Sequence, residues 1–226
     1  MKKPVRVALT REESICMHPK RHPLTMEIEM GCDSNGRFTF VKSDIIGDTG
    51  AYASVGMKVL ERAAGHATGA YHVDAVEVRS RAVYTNNIPC GAMRGFGVNQ
   101  INFAVESCVD ELCEMGGFDR WQIRYDNALT PGGMTSTGQV LQSGIGIRKT
   151  LEAVKDVFQQ SRHAGIACGI KNTGIGNGVP DTGKVKIVIE SPERILIHQG
   201  WTEMGQGVYT MAVQFFCEVT GLSPEI

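Results

Sequence analysis

The chain has 226 residues, of which 42% are hydrophobic and 21% charged, and its formal net charge is −1. This is the composition of a globular protein, and the balanced charge excludes the strongly basic surface that nucleic acids and anionic membranes attract. No apolar run reaches the roughly 18 residues that a membrane span needs, and no apolar segment follows Lys2 and Lys3 to form a secretory signal.

The seven cysteines are scattered, and no two of them form a Cys-x-x-Cys pair. Such an odd, unpaired set is unlike the ligands of zinc or iron–sulfur sites and is typical of a reducing compartment. We therefore predict a cytoplasmic protein. The six histidines lack metal-ligand spacing as well. His18 and His22 are four residues apart, but Pro19 and Pro23 would break the helix that could bring them together.

Strands dominate the first third of the chain. Alternation of apolar and polar residues predicts a hairpin whose turn is formed by Cys32 to Gly36. The predicted strands cover 4–9, 25–31, 37–46 and 73–84.

Helical spacing of apolar residues follows in the middle of the chain. It predicts a helix over 98–115 that ends at Gly116-Gly117, and a second over 119–128 with Asp119 as its N-cap. We expect the acidic residues of 106–114 to lie on a solvated face of the first of these helices.

The last hundred residues repeat the mixture of helix and strand. A loop rich in Gly, Ser and Thr covers 130–146 and precedes an amphipathic helix over 147–160. Strands are predicted over 165–171, 184–190 and 194–199, and a helix over 207–221.

This order predicts an α+β protein made of two mixed sheet-and-helix modules. We predict a first domain over 1–130, a connecting loop and helix over 131–163, and the start of a second domain over 164–226.

Glycines cluster at three places. In the first, Gly91, Gly95 and Gly97 surround Arg94 and Phe96 between a predicted strand and a predicted helix. Backbone that bends sharply at a helix start can present N–H groups to anions or polar oxygens, and Arg94 adds a cation. A tight turn with Arg94 in a surface ion pair would explain the same residues.

The second cluster, over 200–207, also joins a strand to a helix and holds Gln206 between two glycines. The Gln206 amide could hydrogen bond a heteroaromatic edge or a phosphate-bearing ligand, or it could point into solvent. The third cluster, over 174–178, is unlike a dinucleotide-binding loop because Pro180 and a predicted strand follow it instead of a helix.

The first two clusters resemble signatures of the molybdenum hydroxylases, the family of xanthine dehydrogenases and aldehyde oxidases. One signature is Arg94-Gly95-Phe96-Gly97 and the other is Glu203-Met204-Gly205-Gln206-Gly207. Leu60-Glu61-Arg62-Ala63 is similar to a third family segment. The order and spacing of the three segments also match the family. The sequence overall, including the segment Asp48–Tyr52, most resembles the bacterial selenium-linked or purine-hydroxylase branch.

The resemblance implies molybdopterin with molybdenum as cofactor, in the bare or the cytosine dinucleotide form. The pterin ligates the metal, so no side chain is expected to do so. Backbone at Ala92, Met93 and Arg94, and the segment Met204, Gly205 and Gln206, would contact the cofactor. Arg62 and Arg94 would be catalytic, with Arg62 also polarising the substrate carbonyl and Phe96 stacking on the substrate ring.

The implied reaction is hydroxylation of an electron-poor carbon with oxygen from water. Electrons would leave through iron–sulfur clusters and FAD or another acceptor, carried on other domains or subunits. The family's catalytic glutamate is expected outside this chain, as are the rest of the molybdenum subunit and its glycine-rich N-terminal loop. We accordingly expect an oligomeric enzyme when full-length, and no turnover from this chain alone.

The substrate stays open on the sequence. Xanthine-oxidising members have an aromatic residue where Asn177 stands here. One hypothesis is a purine or related N-heterocycle bound by Arg62, Phe96 and Asn177. The alternatives are an aldehyde or another small heterocycle, because stacking on the second face would be lost, and a truncated domain that binds no cofactor.

Overall fold

A computed structural model describes residues 3–174 and 180–225. The chain divides into two compact units, Met1–Lys171 and Asn172–Ile226. The first combines several helices with a sheet and the second one helix with a hairpin among the described residues, which confirms the predicted α+β class with two mixed modules. Within 3–174 and 180–225, no helix combines the length and the apolar character that crossing a membrane requires. Asn177 lies outside the described residues.

The predicted strand over 4–9 is wrong. This segment has no regular secondary structure and pairs with no other strand among the described residues, and Val5 and Val7 are 78% and 80% exposed. Alternation alone does not make a strand, because the backbone also needs a hydrogen-bonding partner. The next residues form a helix that was not predicted, α1 (Arg11–Met17), whose capping box joins Thr10 and Glu13 in both directions.

The sheet of the first unit has the order β1-β2-β3. The predicted hairpin is confirmed by the antiparallel pair β1 (Leu24–Cys32) and β2 (Phe38–Asp48). The third strand, β3 (Ala75–Val83), runs parallel to β2. A parallel pair needs a crossover, and it is supplied by a helix that was not predicted, α2 (Gly56–Ala64).

The core lies on one face of this sheet. Alternate residues of β2, among them Val41 and Ile45, are buried beneath two helices, α2 and α3 (Val98–Gly116). The other face is lined by charged side chains such as Lys42 and Asp44. One face in the core and one in solvent explains the alternation that made β2 recognisable.

The helices predicted at the end of the first unit are confirmed as α3, α4 (Arg120–Asn127) and α5 (Ile147–Gln160). Asp119 caps α4 as predicted, because its carboxylate accepts a hydrogen bond of 2.7 Å from the backbone N–H of Gln122. The expectation of a fully solvated acidic face on α3 is wrong, since Glu106 is buried.

The predicted strand over 165–171 is also wrong. Ile166, Cys168 and Ile170 do pack alternately against the core of the first unit, but no strand pairs with their backbone within the described part of the chain. The alternation therefore reports burial on the core and not membership of a sheet.

The second unit contains a hairpin and one helix among its described residues. Both elements were predicted. The hairpin consists of β4 (Val185–Ser191) and β5 (Arg194–Gln199), which are antiparallel. The helix α6 (Val208–Thr220) follows and begins directly after Gly207.

Candidate functional site

The first glycine-rich loop, residues 91–97, has an unusual backbone. Gly95, Phe96 and Gly97 all have positive φ, at 96°, 52° and 96°. A non-glycine residue is uncommon there, so Phe96 is held by its surroundings. Its N–H donates to the Met93 carbonyl at 2.9 Å, and its half-buried ring packs on the core. The turn leaves Ala92, Met93 and Arg94 exposed.

Gly97 seats this loop on α2. A Cβ atom at this position would lie 2.3 Å from the carbonyl oxygen of Val59 and 3.2 Å from the amide nitrogen of Ala63. Only glycine permits this approach. The loop that carries Arg94 and Phe96 is thus in direct contact with the helix that carries Arg62, so the first unit brings these three predicted site residues to neighbouring elements.

Arg62 belongs to a group of basic residues. His66 is one turn further along the chain, and its Nδ1 lies 2.8 Å from the Arg62 carbonyl oxygen. Burial lowers the pKa of His66, and the charges of Lys171 and Arg62 lower it further. Burial and the Arg62 guanidinium likewise lower the pKa of Lys171. Basic groups that disfavour each other's charge favour an anionic or carbonyl-bearing ligand beside them.

Asp48 organises the segment that leads into the loop, a role that the sequence analysis missed. Its carboxylate accepts hydrogen bonds from the Gly50 N–H at 2.7 Å, the Thr85 hydroxyl at 2.6 Å and the Asn87 side-chain amide at 2.6 Å. These bonds hold the pKa of Asp48 below its usual range. The Asp-x-Gly sequence, typical of a side-chain turn, was the available signal.

The second glycine-rich loop, residues 200–207, belongs to the second unit and is folded on itself. The Gln206 side chain accepts from the Met204 N–H at 2.6 Å and donates to the Thr202 carbonyl at 2.8 Å. Gly205 and Gly207 have φ of 93° and 79°. The Gln206 side chain therefore makes two hydrogen bonds within the loop itself.

Glu203 holds the same loop together at the start of α6. Its carboxylate accepts from the N–H groups of Gly205 at 2.7 Å and Gly207 at 3.0 Å. These bonds, together with those from Tyr209 and Val208, lower the pKa of Glu203. A carboxylate at a helix N-terminus is stabilised by the unpaired amides there.

We predict that this loop loses its order when Glu203 is protonated. Because the folded pKa is depressed, the contribution to stability is present above the unfolded pKa and is lost as pH falls through the folded value. NMR titration should show the amide protons of Gly205 and Gly207 shifting together in acid. Glu203→Gln should abolish that shift, whereas Glu218→Gln, at an exposed position on α6, should preserve it. A shift that persists in Glu203→Gln would contradict the assignment.

Side chains do not form a metal centre in the described part of the chain. No group of three or more His, Cys, Asp or Glu residues within 3–174 and 180–225 is placed to hold a metal ion. The predicted site residues within these ranges are described unit by unit: loop backbone, Arg62, Arg94 and Phe96 in the first unit, and separately the loop around Gln206 in the second.

Comparison with known proteins gives two family matches and several relatives. Molybdopterin cofactor-binding domain models match residues 1–128 and 141–226. The chain is 43% identical over 155 residues to the nicotinate dehydrogenase large molybdopterin subunit of Eubacterium barkeri, covering 69% of this chain and 36% of that protein. It is 31% identical over 233 residues to a probable xanthine dehydrogenase subunit of Bacillus subtilis, covering 99% of this chain and 31% of the relative.

A solved structure shows the same architecture. The aldehyde oxidoreductase from Desulfovibrio gigas superposes with a TM-score of 0.78 and 26% sequence identity, over 92% of this chain and 24% of that one. The chain spans 36% and 31% of the two curated relatives, about a third of their length.

Proposed function

The chain belongs to the molybdopterin cofactor-binding domains of the molybdenum hydroxylase family, and on that premise we propose that it forms part of an enzyme that hydroxylates an electron-poor carbon of an N-heterocycle, a purine or a related ring, with water as the oxygen source. The observation that carries the proposal is the contact of Gly97 with α2. It places the strained loop of Arg94 and Phe96 against the helix of Arg62.

The two loops suit the cofactor in different ways. Ala92, Met93 and Arg94 are exposed on a turn of fixed shape, so their backbone is free to meet a bulky ligand. Gln206 makes one bond with its oxygen and one with its nitrogen, which leaves a lone pair and an N–H to reach the pterin. We propose that Met204 and Gly205, like Gln206, contact the pterin.

When bound, molybdopterin and its molybdenum supply the redox and hydroxylation chemistry, and the protein holds and orients the reactants. Arg62 would donate to a carbonyl or carboxylate of the substrate and hold it in one orientation, because its guanidinium offers several N–H donors in a fixed plane. The Phe96 ring would stack on the substrate ring and limit where that ring can lie. Arg94 would place a second positive charge beside the reacting group.

Two kinds of N-heterocycle fit this arrangement. A purine presents ring carbonyls to Arg62, which agrees with the Bacillus subtilis relative, named as a probable xanthine dehydrogenase. A heterocycle with a carboxylate could also use Lys171, whose pKa is lowered by burial and by the nearby Arg62 charge, and this agrees with the Eubacterium barkeri relative, named as a nicotinate dehydrogenase. An aldehyde is the alternative substrate of a different class. It has no carboxylate for Lys171 to bind.

Replacing Arg62 tests the proposal. In the assembled enzyme that contains this chain, we expect Arg62→Ala to lower kcat/KM for the N-heterocycle by about 10- to 150-fold, corresponding to a charged hydrogen bond of roughly 1.5–3 kcal/mol. Arg62→Lys should restore little, because an ammonium lacks the planar donor pair. Steady-state kinetics on a panel of purines, pyridine carboxylates and aldehydes would measure both.

The control is Arg79→Ala on β3, where the exposed side chain lies 3.8 Å from Asp44 on the solvated sheet face. It should leave the kinetics unchanged. Normal turnover of every N-heterocycle by Arg62→Ala would refute the proposed role, and turnover of aldehydes alone by the unmodified enzyme would favour the alternative class.

A further inference from the structure

Both ends of the loop 91–97 are attached to the same short segment, Lys20–Arg21–His22. The Gly91 N–H donates to the Lys20 carbonyl at 2.9 Å, and the Lys20 N–H donates to the Pro89 carbonyl at 3.2 Å. At the other end, the Gln100 side-chain amide donates to the His22 carbonyl at 3.0 Å. Three consecutive residues are therefore bonded near both ends of the loop and restrict the distance between them.

Residues 92–94, in the middle of the loop, make few hydrogen bonds besides the one that the Met93 carbonyl accepts from the Phe96 N–H at 2.9 Å. Ala92, Met93 and Arg94 are exposed, and the Arg94 carbonyl receives a long bond of 3.4 Å from the Asn99 side chain. When exposed residues make few bonds, their conformation is set by the anchored residues on either side. The anchor at Gly91 is a backbone hydrogen bond in a tight place, since a Cβ there would lie 2.8 Å from the Pro19 Cβ, whereas the bond to His22 near the downstream end is made by the side chain of Gln100.

Two polar atoms beside this anchor are buried without a hydrogen-bond partner. His22 is 2% exposed, and its Nε2 has no hydrogen-bond partner. The Gln100 oxygen is buried without a partner too. Unpaired buried polar atoms destabilise a fold, and an apolar side chain at residue 100 would remove the unpaired Gln100 oxygen, although it would also remove the donor to the His22 carbonyl. A polar side chain with an unpaired atom in such a place points to a role in function.

We propose that Gln100 is a positioning residue that ties the first turn of α3 to His22 and thereby sets the backbone of Ala92, Met93 and Arg94 for the cofactor. The inference rests on the proposed function, because it names the cofactor as the ligand that needs this geometry. The Gln100 amide bonds the His22 carbonyl, so in this proposal its effect on the cofactor is transmitted through the loop.

The test compares Gln100→Met with Gln122→Met in the assembled enzyme. Methionine keeps the length of the side chain and removes the donor. Gln122 is the matched control, because its amide donates to Asp126 at 2.8 Å on the exposed surface of α4. Hydrogen exchange of residues 92–97, molybdenum and pterin content, and kcat per bound molybdenum are measured for both.

For Gln100→Met we expect exchange of the loop amides to rise at least tenfold, the half-life of cofactor retention to fall several-fold, and kcat per bound molybdenum to fall more than KM changes. Amides at the centre of α3, such as Val105, should keep their protection. A purely structural role would instead lower protection throughout the first unit and leave kcat per molybdenum unchanged, and that result would overturn the proposal. Gln122→Met should match the unmodified enzyme.

If Gln100→Met does not fold, Gln100→Asn gives the same test, since it keeps the amide but shortens its reach by one methylene. The hydrogen-exchange measurement distinguishes a failure of the positioning role from a failure of the proposed function. An unmodified enzyme that holds no molybdopterin would refute the function, whereas loop exchange that is unaffected by either variant would refute the positioning role alone.

Discussion

Replacing Arg124 by methionine is expected to lower the free energy of unfolding by about 3–5 kcal/mol, the typical loss when one member of a buried ion pair is removed. The Arg124 side chain is 0% exposed. Its Nε donates to Glu106 at 2.8 Å and its Nη2 to Asp110 at 2.8 Å. The Tyr71 hydroxyl donates to the other oxygen of Glu106 at 2.5 Å. Without the guanidinium, the buried Glu106 carboxylate would keep one neutral partner and no cation.

The pKa directions agree with this network. Burial and, next to it, the Glu106 carboxylate raise the pKa of Tyr71, so its hydroxyl stays protonated as a donor. Burial alone would lower the pKa of Arg124, but the charges of Glu106 and its other partners outweigh burial and raise it. The network therefore holds one negative and one positive charge in the interior, and each stabilises the other.

Arg120→Met is the matched control. This arginine is one turn before Arg124, its side chain is 36% exposed, and it pairs at 2.7 Å with Glu114, which is 71% exposed. An exposed pair contributes about 0–1 kcal/mol, so the control should lose little. Urea denaturation at neutral pH, followed by circular dichroism, measures both losses. Equal losses in the two variants would show that the buried network does not stabilise the fold.

Local patterns in the sequence were sufficient to predict most of the helices and strands. The helices α3 and α5 and the hairpin of β1 and β2 have regular periodicity, and each was predicted close to its observed bounds. The helix α2 was missed because it is short and has no side-chain hydrogen bond at its N-cap. The helix α1 did carry a signal, the capping box of Thr10 and Glu13, but the alternation before it suggested a strand.

The site was less accessible to sequence reasoning. Glycine clustering and the family resemblance pointed to the two loops, but the contacts that shape them join distant residues. Gln100 and His22 are 78 positions apart, and Asp48 bonds Thr85 and Asn87 across 37 and 39 positions. No local pattern encodes such pairs. The burial of Glu106 was missed for the same reason, since its partner Arg124 lies on another helix.

Gly97→Ala is the second change with a large expected effect, because it introduces two separate costs. Alanine at a φ of 96° costs about 1–2 kcal/mol. Its Cβ would also lie 2.3 Å from the Val59 carbonyl oxygen, and crowding of this kind typically costs about 1–3 kcal/mol. Since backbone cannot rotate away as a flexible side chain can, the start of α3 must move off α2.

Gly117→Ala separates the two costs. Gly117 also has a positive φ, 68°, but a Cβ there would meet nothing within 4 Å. It should therefore show only the conformational cost in urea denaturation, and the difference between the variants measures the clash. A movement of α3 relative to α2 would carry Phe96 and Arg94 away from Arg62. We thus expect Gly97→Ala, and not Gly117→Ala, to lose bound molybdenum as well, measured by metal analysis of the assembled enzyme. Equal stability and equal metal content in the two variants would mean that the contact between the loop and α2 does not shape the site.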